Sequence, residues 1–132
     1  MDLDLINTAA SALLTERMRM NTIATNIANS HTTRDANGLS KPYRRQTVDF
    51  QSILDQQNKV IGVKGEIKED QSDFKKVYDP GHPDANDEGY VLYPNVSNEQ
   101  EMVEMLSAKA SYEANLKTIQ VTKQMFNSAL DI

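Results

Sequence analysis

The chain has 132 residues, of which 39% are apolar, with three phenylalanines, no tryptophan, no cysteine and a formal net charge of −5. Length and composition allow one ordinary domain with a lean core, and the missing cysteines exclude disulfides, thiolate metal sites and cysteine nucleophiles. The charge is segregated: residues 77–132 carry nine acids and three bases, whereas residues 34–76 carry seven acids and nine bases, a polarity suited to head-to-tail electrostatic contacts and not to nucleic acid, which demands a basic face.

The first predicted element is a helix over residues 4–29, opening near Asp2 or Asp4, whose carboxylates suit a helix N-terminus. Ile6, Leu13, Met20 and Ile27 recur every seven residues along it, joined by Leu5, Ala9, Ile23 and Ala24; that interval is the repeat of helices that supercoil around other helices. Short polar residues at Asn29 and Ser30 end it by competing for the backbone. Asn26 and Asn29, three apart at that end, can cap carbonyls or hydrogen-bond across a helix interface. The acidic start Met1-Asp2-Leu3-Asp4 lacks the basic opening of a secretory signal peptide, so any export is expected to remove no such segment.

Residues 30–42 are turn-rich, with Asn37-Gly38 as a turn dipeptide. Strands are expected at Tyr43 to Phe50, Ile61 to Ile67, Phe74 to Tyr78 and Tyr90 to Tyr93, with a polar loop or short helical turn from Ser52 to Asn58. The basic cluster Lys41, Arg44 and Arg45 reads as a solvated loop and strand edge. Between the last two strands lies an eleven-residue segment, Asp79 to Glu88 and Gly89, containing Pro80, Gly81, His82 and Pro83; two prolines and two glycines predict a rigid, ordered loop. Ser97 with Gln100 three residues on forms a capping box, and a final helix is expected over residues 98–130. Met105, Tyr112, Ile119 and Phe126 repeat its seven-residue stripe, with Ala108, Leu116 and Leu130 on the same face. Glu99 and Glu101 in its first turn favour that end of the helix dipole, and Glu101 and Glu104 read as a solvated acidic face. No run of about eighteen apolar residues exists, so no membrane span is expected.

No active site can be composed from these residues. His82 with Asp79, Asp84 and Asp87 offers metal-ligating types, but a proline-locked turn explains the same residues better. Asp84, Asn86, Glu88 and Gly89 imitate the start of an EF-hand loop, yet the twelfth position is Asn95 and the flanks read as strands. No nucleophile elbow or phosphate-binding glycine loop is present. No cofactor is expected, and matched apolar helices at both ends favour an assembling chain over an enzyme.

The segment Ala24-Thr25-Asn26-Ile27-Ala28-Asn29, continuing to Thr32 and Thr33, resembles the Asn-rich motif near the N-terminus of bacterial flagellar rod and hook proteins. Pro42-Tyr43-Arg44-Arg45-Gln46, Val77-Tyr78-Asp79-Pro80-Gly81-His82-Pro83-Asp84-Ala85, Gly89-Tyr90-Val91-Leu92 and Pro94-Asn95-Val96 resemble proximal rod proteins of the FlgC type, as do Glu101-Met102-Val103 and Tyr112-Glu113-Ala114-Asn115. The match runs in order along nearly the whole chain, and the Ser30–Lys41 connector departs from it. The resemblance implies an α+β, mainly α, protein whose terminal helices pack as a coiled-coil-like tube domain (residues 1–33 and 97–132), with a small β-rich middle segment as an outer domain (residues 34–96). It implies a structural subunit of the flagellar basal body, placed in the periplasmic rod near the membrane ring and export gate. Its partners would be other rod proteins and copies of itself, delivered by the flagellar type III export apparatus. On that reading Ile6, Leu13, Met20, Ile23, Ile27, Met105, Tyr112, Leu116, Ile119, Phe126 and Leu130 pack helices within and between subunits. Asn26, Asn29 and Thr32 form the helix-end motif, and the loop at Tyr78 to Pro83 is a subunit contact. A helical adaptor of a secretion apparatus is the alternative.

Overall fold

All five glycines and all four prolines lie between residues 38 and 94. The two stretches free of helix breakers, one at each end of the chain, are the two helices. The computed structural model describes residues 2–131, the side chain of Asp2 excepted, so the capping role expected of that carboxylate lies outside the described residues. Helix α1 spans Asp2–Ala28 and α2 spans Asn98–Leu130, roughly 40 and 50 Å of rod at 1.5 Å per residue. Between them come β1 (Gln46–Leu54), β2 (Val60–Glu69), β3 (Lys75–Tyr78) and β4 (Tyr90–Tyr93). The architecture is α+β and mainly helical.

The strands form two separate antiparallel pairs. In the long hairpin Gln46 faces Glu69 and Ile53 faces Gly62, with a bulge before Leu54 pairs Val60. In the short one Lys75 faces Tyr93 and Tyr78 faces Tyr90. The second pair agrees with the sequence reading. The first strand does not: it starts three residues later than Tyr43 and runs on through Ser52 to Leu54, where a loop or helical turn was expected. Gln51, Ser52 and Ile53 are held in the strand by their partners Lys64, Val63 and Gly62, so pairing overrides their polar character.

Three loops share one construction. In each, an Asp or Asn accepts hydrogen bonds through its side-chain oxygen from the N–H groups two and four residues on. Asp35 receives Asn37 and Leu39, Asp55 receives Gln57 and Lys59, and Asn86 receives Glu88 and Tyr90. The backbone closes the same five residues twice, as in Asp55 N–H to Lys59 O at 2.9 Å and Asn58 N–H to Asp55 O at 3.1 Å. The fourth residue is left-handed each time, Gly38 at φ 76°, Asn58 at φ 60° and Gly89 at φ 86°, a conformation open to Gly and tolerated by Asn. Asp/Asn-x-x-Gly/Asn-x is therefore the local code that turns this chain.

Helix α1 is the centre of the packing. One face carries the long hairpin: the Ser11 hydroxyl accepts the Val63 N–H at 2.9 Å. A Cβ on Gly65 would meet Met18, Thr15 and Val48 side chains at 3.0 Å each, so β2 lies on the helix at a distance only glycine permits. The adjacent face carries α2, which runs antiparallel to α1, since Asn26 meets Glu101 while Arg19 meets Glu104 further along α2. The buried side chains of the helices are few and, apart from Ile23, small or polar: Ala9, Thr15, Glu16, Thr22 and Asn26 on α1, and Glu101, Ala108 and Thr122 on α2.

The seven-residue stripe of α2 thus has a companion that apolar periodicity overlooked. Glu101, Ala108 and Thr122 lie on a seven-residue series, with half-buried Asn115 between the last two. They are covered more completely than Met105, Tyr112 and Ile119, which are half-buried. Leu116, Phe126 and Leu130 are exposed at 38%, 50% and 70%. The expected stripe of α1 is covered for the most part: Ala9 and Ile23 are buried and Ile6, Leu13, Met20 and Ile27 half-buried, but Leu5 and Ala24 are exposed.

Candidate functional site

The most completely buried polar groups converge where the end of α1, the start of β1 and the first turn of α2 meet. Asn26 is fully enclosed. Its amide donates to the Gln46 carbonyl at 2.8 Å and to Glu101 Oε2 at 3.3 Å, while its Oδ1 accepts the Tyr43 hydroxyl at 2.7 Å and the Gln46 N–H at 3.0 Å. Glu101, also without exposed surface, receives Arg45 Nε on its other oxygen. Arg45 donates Nη1 to Asp70 at 3.1 Å, and its backbone N–H donates to Asn95 at 2.8 Å. Asn95 in turn donates to the carbonyls of Asp70 and Ser72 at 3.0 and 3.1 Å. Five chain segments are joined by side chains whose bonds are all made; among the described residues no buried side-chain polar atom lacks a partner.

Electrostatics follow from this enclosure. Burial opposes the Arg45 charge, but hydrogen bonds and attraction from Glu101 and then Asp70 outweigh it and raise its pKa. Bonding by the Ser72 N–H, reinforced by the Ser72 hydroxyl and Arg45 against a smaller desolvation effect, holds Asp70 below the ordinary carboxylate range. Burial, and then the charges of Glu101 and Glu69, push the Tyr43 hydroxyl up. A second, smaller cross-helix pair lies one turn away. Arg19 bridges Glu16 at 3.5 Å and Glu104 at 2.5 Å, and burial keeps the Glu16 pKa raised although Arg19 pulls it down.

The structure departs from the sequence reading at two clusters of charge. Glu101 and Glu104 do not form a solvated acidic face: the first is wholly buried and the second half-buried, because Arg45 and Arg19 reach them from other elements. The cluster Lys41, Arg44 and Arg45 is not uniformly solvated either. Arg45 is the cation of the junction, and Arg44 bonds the Asp70 and Ser72 carbonyls at 2.8 and 2.9 Å while stacking 4.2 Å over the Phe74 ring. Lys41 alone is exposed. The helix-end motif divides its work: Asn26 bonds across elements, whereas Asn29 donates to the Thr25 carbonyl at 2.9 Å and accepts the Thr32 hydroxyl at 3.1 Å, ending the helix. Ser97 accepts the Gln100 N–H as the N-cap of α2, but its hydroxyl donates to Glu99 at 3.3 Å where a capping box would have Gln100 reach back. Arg45, Asp70, Asn95 and Glu101 were not singled out as site residues, since each contact spans more sequence than a local window sees.

The loop after β3 is ordered by its own bonds. Asp79 N–H donates to Gly89 O at 2.9 Å, His82 N–H to Asp79 O at 3.1 Å and Ala85 N–H to His82 O at 3.0 Å. It is tied to the connector that follows α1 through Asp84, which accepts the Thr33 hydroxyl at 2.7 Å and Arg34 Nε at 2.9 Å. The Thr33 bond, with smaller help from Arg34 and His82, holds the Asp84 carboxyl below its ordinary value despite partial desolvation. The His82 Nδ1 accepts the Asp84 N–H at 3.0 Å, and the ring meets Tyr93 edge-on at 6.0 Å. No cluster of three potential metal ligands occurs among the described residues. Tyr78, Asp79, Pro80, Gly81 and Pro83 stay exposed.

Outside both features the helices carry unused apolar surface. Met102, Val103 and Leu106 are 59%, 66% and 69% exposed on α2, and Val121, Met125, Phe126 and Leu130 continue the exposure to its end. On α1, Leu3, Leu5 and Leu14 are likewise uncovered. No helix among the described residues is long and apolar enough to cross a membrane.

Comparison with known proteins bears on both ends of the chain. Residues 6–34 match the family described as "Flagella basal body rod protein", and residues 87–132 match "Flagellar basal body rod FlgEFG protein C-terminal". The chain is 46% identical to the flagellar basal-body rod protein FlgC of Bacillus subtilis (strain 168), covering 96% of this chain and 95% of that one. It is 40% identical to the FlgC of Borreliella burgdorferi, over 96% and 94% of the two chains, and 37% identical to that of Salmonella typhimurium, over 98% and 96%.

Proposed function

The chain belongs to the FlgC-type flagellar basal-body rod proteins and is a structural subunit of that rod, and from this premise we propose how its surfaces build the proximal segment of the shaft. The observation that carries the reading is the apolar surface left on two helices whose mutual contact is already made. Met102, Val103 and Leu106 on one side of α2, and Phe126 and Leu130 at its end, are docking surface for neighbouring subunits. Covering one such side chain contributes about 1.5–3 kcal/mol, and a shaft subunit repeats that at every neighbour. Large exposed apolar patches on a folded chain mark such contacts.

In this reading residues 1–33 and 97–132 form the rod core, with α1 and α2 as paired tube helices supercoiling with those of other subunits. Residues 34–96 form the outer part, and the rigid loop from Tyr78 to Pro83 touches a neighbour. Ile6, Leu13, Met20, Ile23 and Ile27 with Met105, Tyr112 and Ile119 hold the pair together, whereas Leu116, Phe126 and Leu130 serve contacts between subunits. The rod stands in the periplasm beside the membrane ring and export gate, its subunits arrive through the flagellar type III apparatus, and torque passes through helix contacts without catalysis.

Leu106→Asp tests this, because Leu106 is exposed and its loss leaves the isolated fold intact. Cells carrying the variant should make normal amounts of protein and no complete rods in isolated basal bodies. Wild-type swimming by Leu106→Asp cells would reject the helix-surface reading.

A further inference from the structure

Beside the junction lies an open groove of about 590 Å³. Its floor is Pro42, Tyr43 and the Arg44 guanidinium stacked 4.2 Å over Phe74. Arg34 and Lys41 also line it. Lys41 is exposed and makes no ion pair among the described residues, and Arg34 is half exposed with only its Nε engaged, by Asp84. Two acids, Asp35 and Glu69, also line the groove, but the Asp35 carboxylate is turned to the N–H groups of its own turn. Glu69 remains as an exposed acid on the same wall. The groove thus carries three cations against two acids, with Lys41 as its cation without a bonded partner among the described residues, over an aromatic and proline lining.

The complementary feature is on the same chain, and none of its own bonds engages the groove's Lys41 or Arg44. Asp87 and Glu88 sit at the tip of the loop that Asn86 closes, both exposed and both without an ion pair among the described residues. Exposed Tyr78, at 65%, and Pro80 flank the same loop. Its rigidity is fixed before any contact forms, which lowers the entropy lost on docking. Asp84 ties the loop to Arg34 of its own chain, and no bond joins the tip to Lys41.

We propose that the Lys41–Arg44–Phe74 groove receives the Asp87–Glu88 tip of a second copy of this chain. The donor and the recess are different patches, so the contact is heterologous and can run from copy to copy, as a ring or a helical array, and not as a two-fold pair. The proposal rests on the assembly reading above and adds to it which surface meets which.

The lack of any native cysteine makes the test clean. In full-length chains expressed in motile cells, Lys41→Cys combined with Glu88→Cys should give, on mild oxidation of isolated basal bodies, disulfide-linked multimers of this chain that neither single substitution gives. Lys41→Glu alone and Asp87→Lys with Glu88→Lys should each lower the number of complete rods at least several-fold, with unchanged circular dichroism of the purified chain. All three together should recover at least half of the loss. A triple variant as defective as its parents, or cross-links only to a protein of different mass, would overturn the pairing of copies. Leu106→Asp separates the two ideas: if it blocks rods while the charge swap fails, only the groove assignment falls.

Discussion

The two ends of the α1–α2 pair are built on opposite rules. At the end where α1 finishes and α2 begins, polar side chains are inside: Asn26 and Glu101 have no exposed surface. At the other end apolar side chains are outside, with Leu3 at 72% and Leu130 at 70% exposure, as Met102, Val103 and Leu106 also are on the outer face of α2 beside the polar junction. In a self-sufficient domain the burial would be reversed. The difference separates two tasks. The polar end fixes one geometry among five segments of a single chain, since its hydrogen bonds are directional and are all made only when the five segments meet. The apolar end is non-directional adhesive surface that neighbours complete.

The largest effect should come from breaking the polar end. Glu101→Ala leaves the Arg45 guanidinium, 13% exposed, without its main partner; removing one member of a buried ion pair costs about 3–5 kcal/mol. Urea unfolding of the purified chain should show that loss, and a change under 1 kcal/mol would mean that water replaces Glu101. Next comes Gly65→Ala, where three side chains stand 3.0 Å from the new Cβ. Overpacking of this kind costs about 1–3 kcal/mol, visible in the same titration as a loosened hairpin.

At the apolar end the sign of the comparison inverts. Phe126→Ser should change the stability of the isolated subunit by less than about 0.5 kcal/mol while sharply lowering the yield of rods. A matching loss in unfolding free energy would show that Phe126 belongs to the fold and not to the interface.

The smallest effects are those of pH. The Asp70 pKa is lowered in the fold, so its contribution is complete above the ordinary aspartate range, near pH 4, and is lost as pH falls through the depressed value. The acid limb of a stability–pH curve should therefore flatten in Asp70→Asn. The Glu16 pKa is raised, which gives the opposite slope: stability declines as pH rises from the ordinary glutamate value through the raised one. Glu16→Gln should then match or slightly exceed the parent at pH 7, and a clear loss there would show that the Arg19 bridge outweighs burial.

The parts of this molecule that the sequence announces are those written in consecutive residues. Both helices, the Tyr90–Tyr93 strand, the Ser97 cap and the turn at Asn37-Gly38 follow from local propensity and periodicity. The first strand was displaced because Ser52 and Gln51 are extended by partners in β2, not by their own character. Glu101 was read as a dipole-favouring solvated acid because its partner Arg45 is 56 residues away. The seven-residue repeat gave apolar Met105 and Tyr112 more weight than Glu101, Ala108 and Thr122. Only the fold places those small and polar residues against α1, and nothing in apolar spacing marks them.

The three Asx-closed turns set an order of events. Each needs only five consecutive residues, so each can form within microseconds of the chain becoming free, and the hairpins grow from them. Asn26 and Glu101, by contrast, are separated by 75 residues, and their meeting must wait for the loop entropy of the whole middle segment to be overcome. Until it does, α2 has no fixed partner at its first turn. The long-range polar bond therefore marks where the helix pair can begin to close: local turns ripen first, Asn26 meets Glu101 across 75 residues, and contacts of still wider separation, such as Arg19 with Glu104 across 85, follow along the two helices.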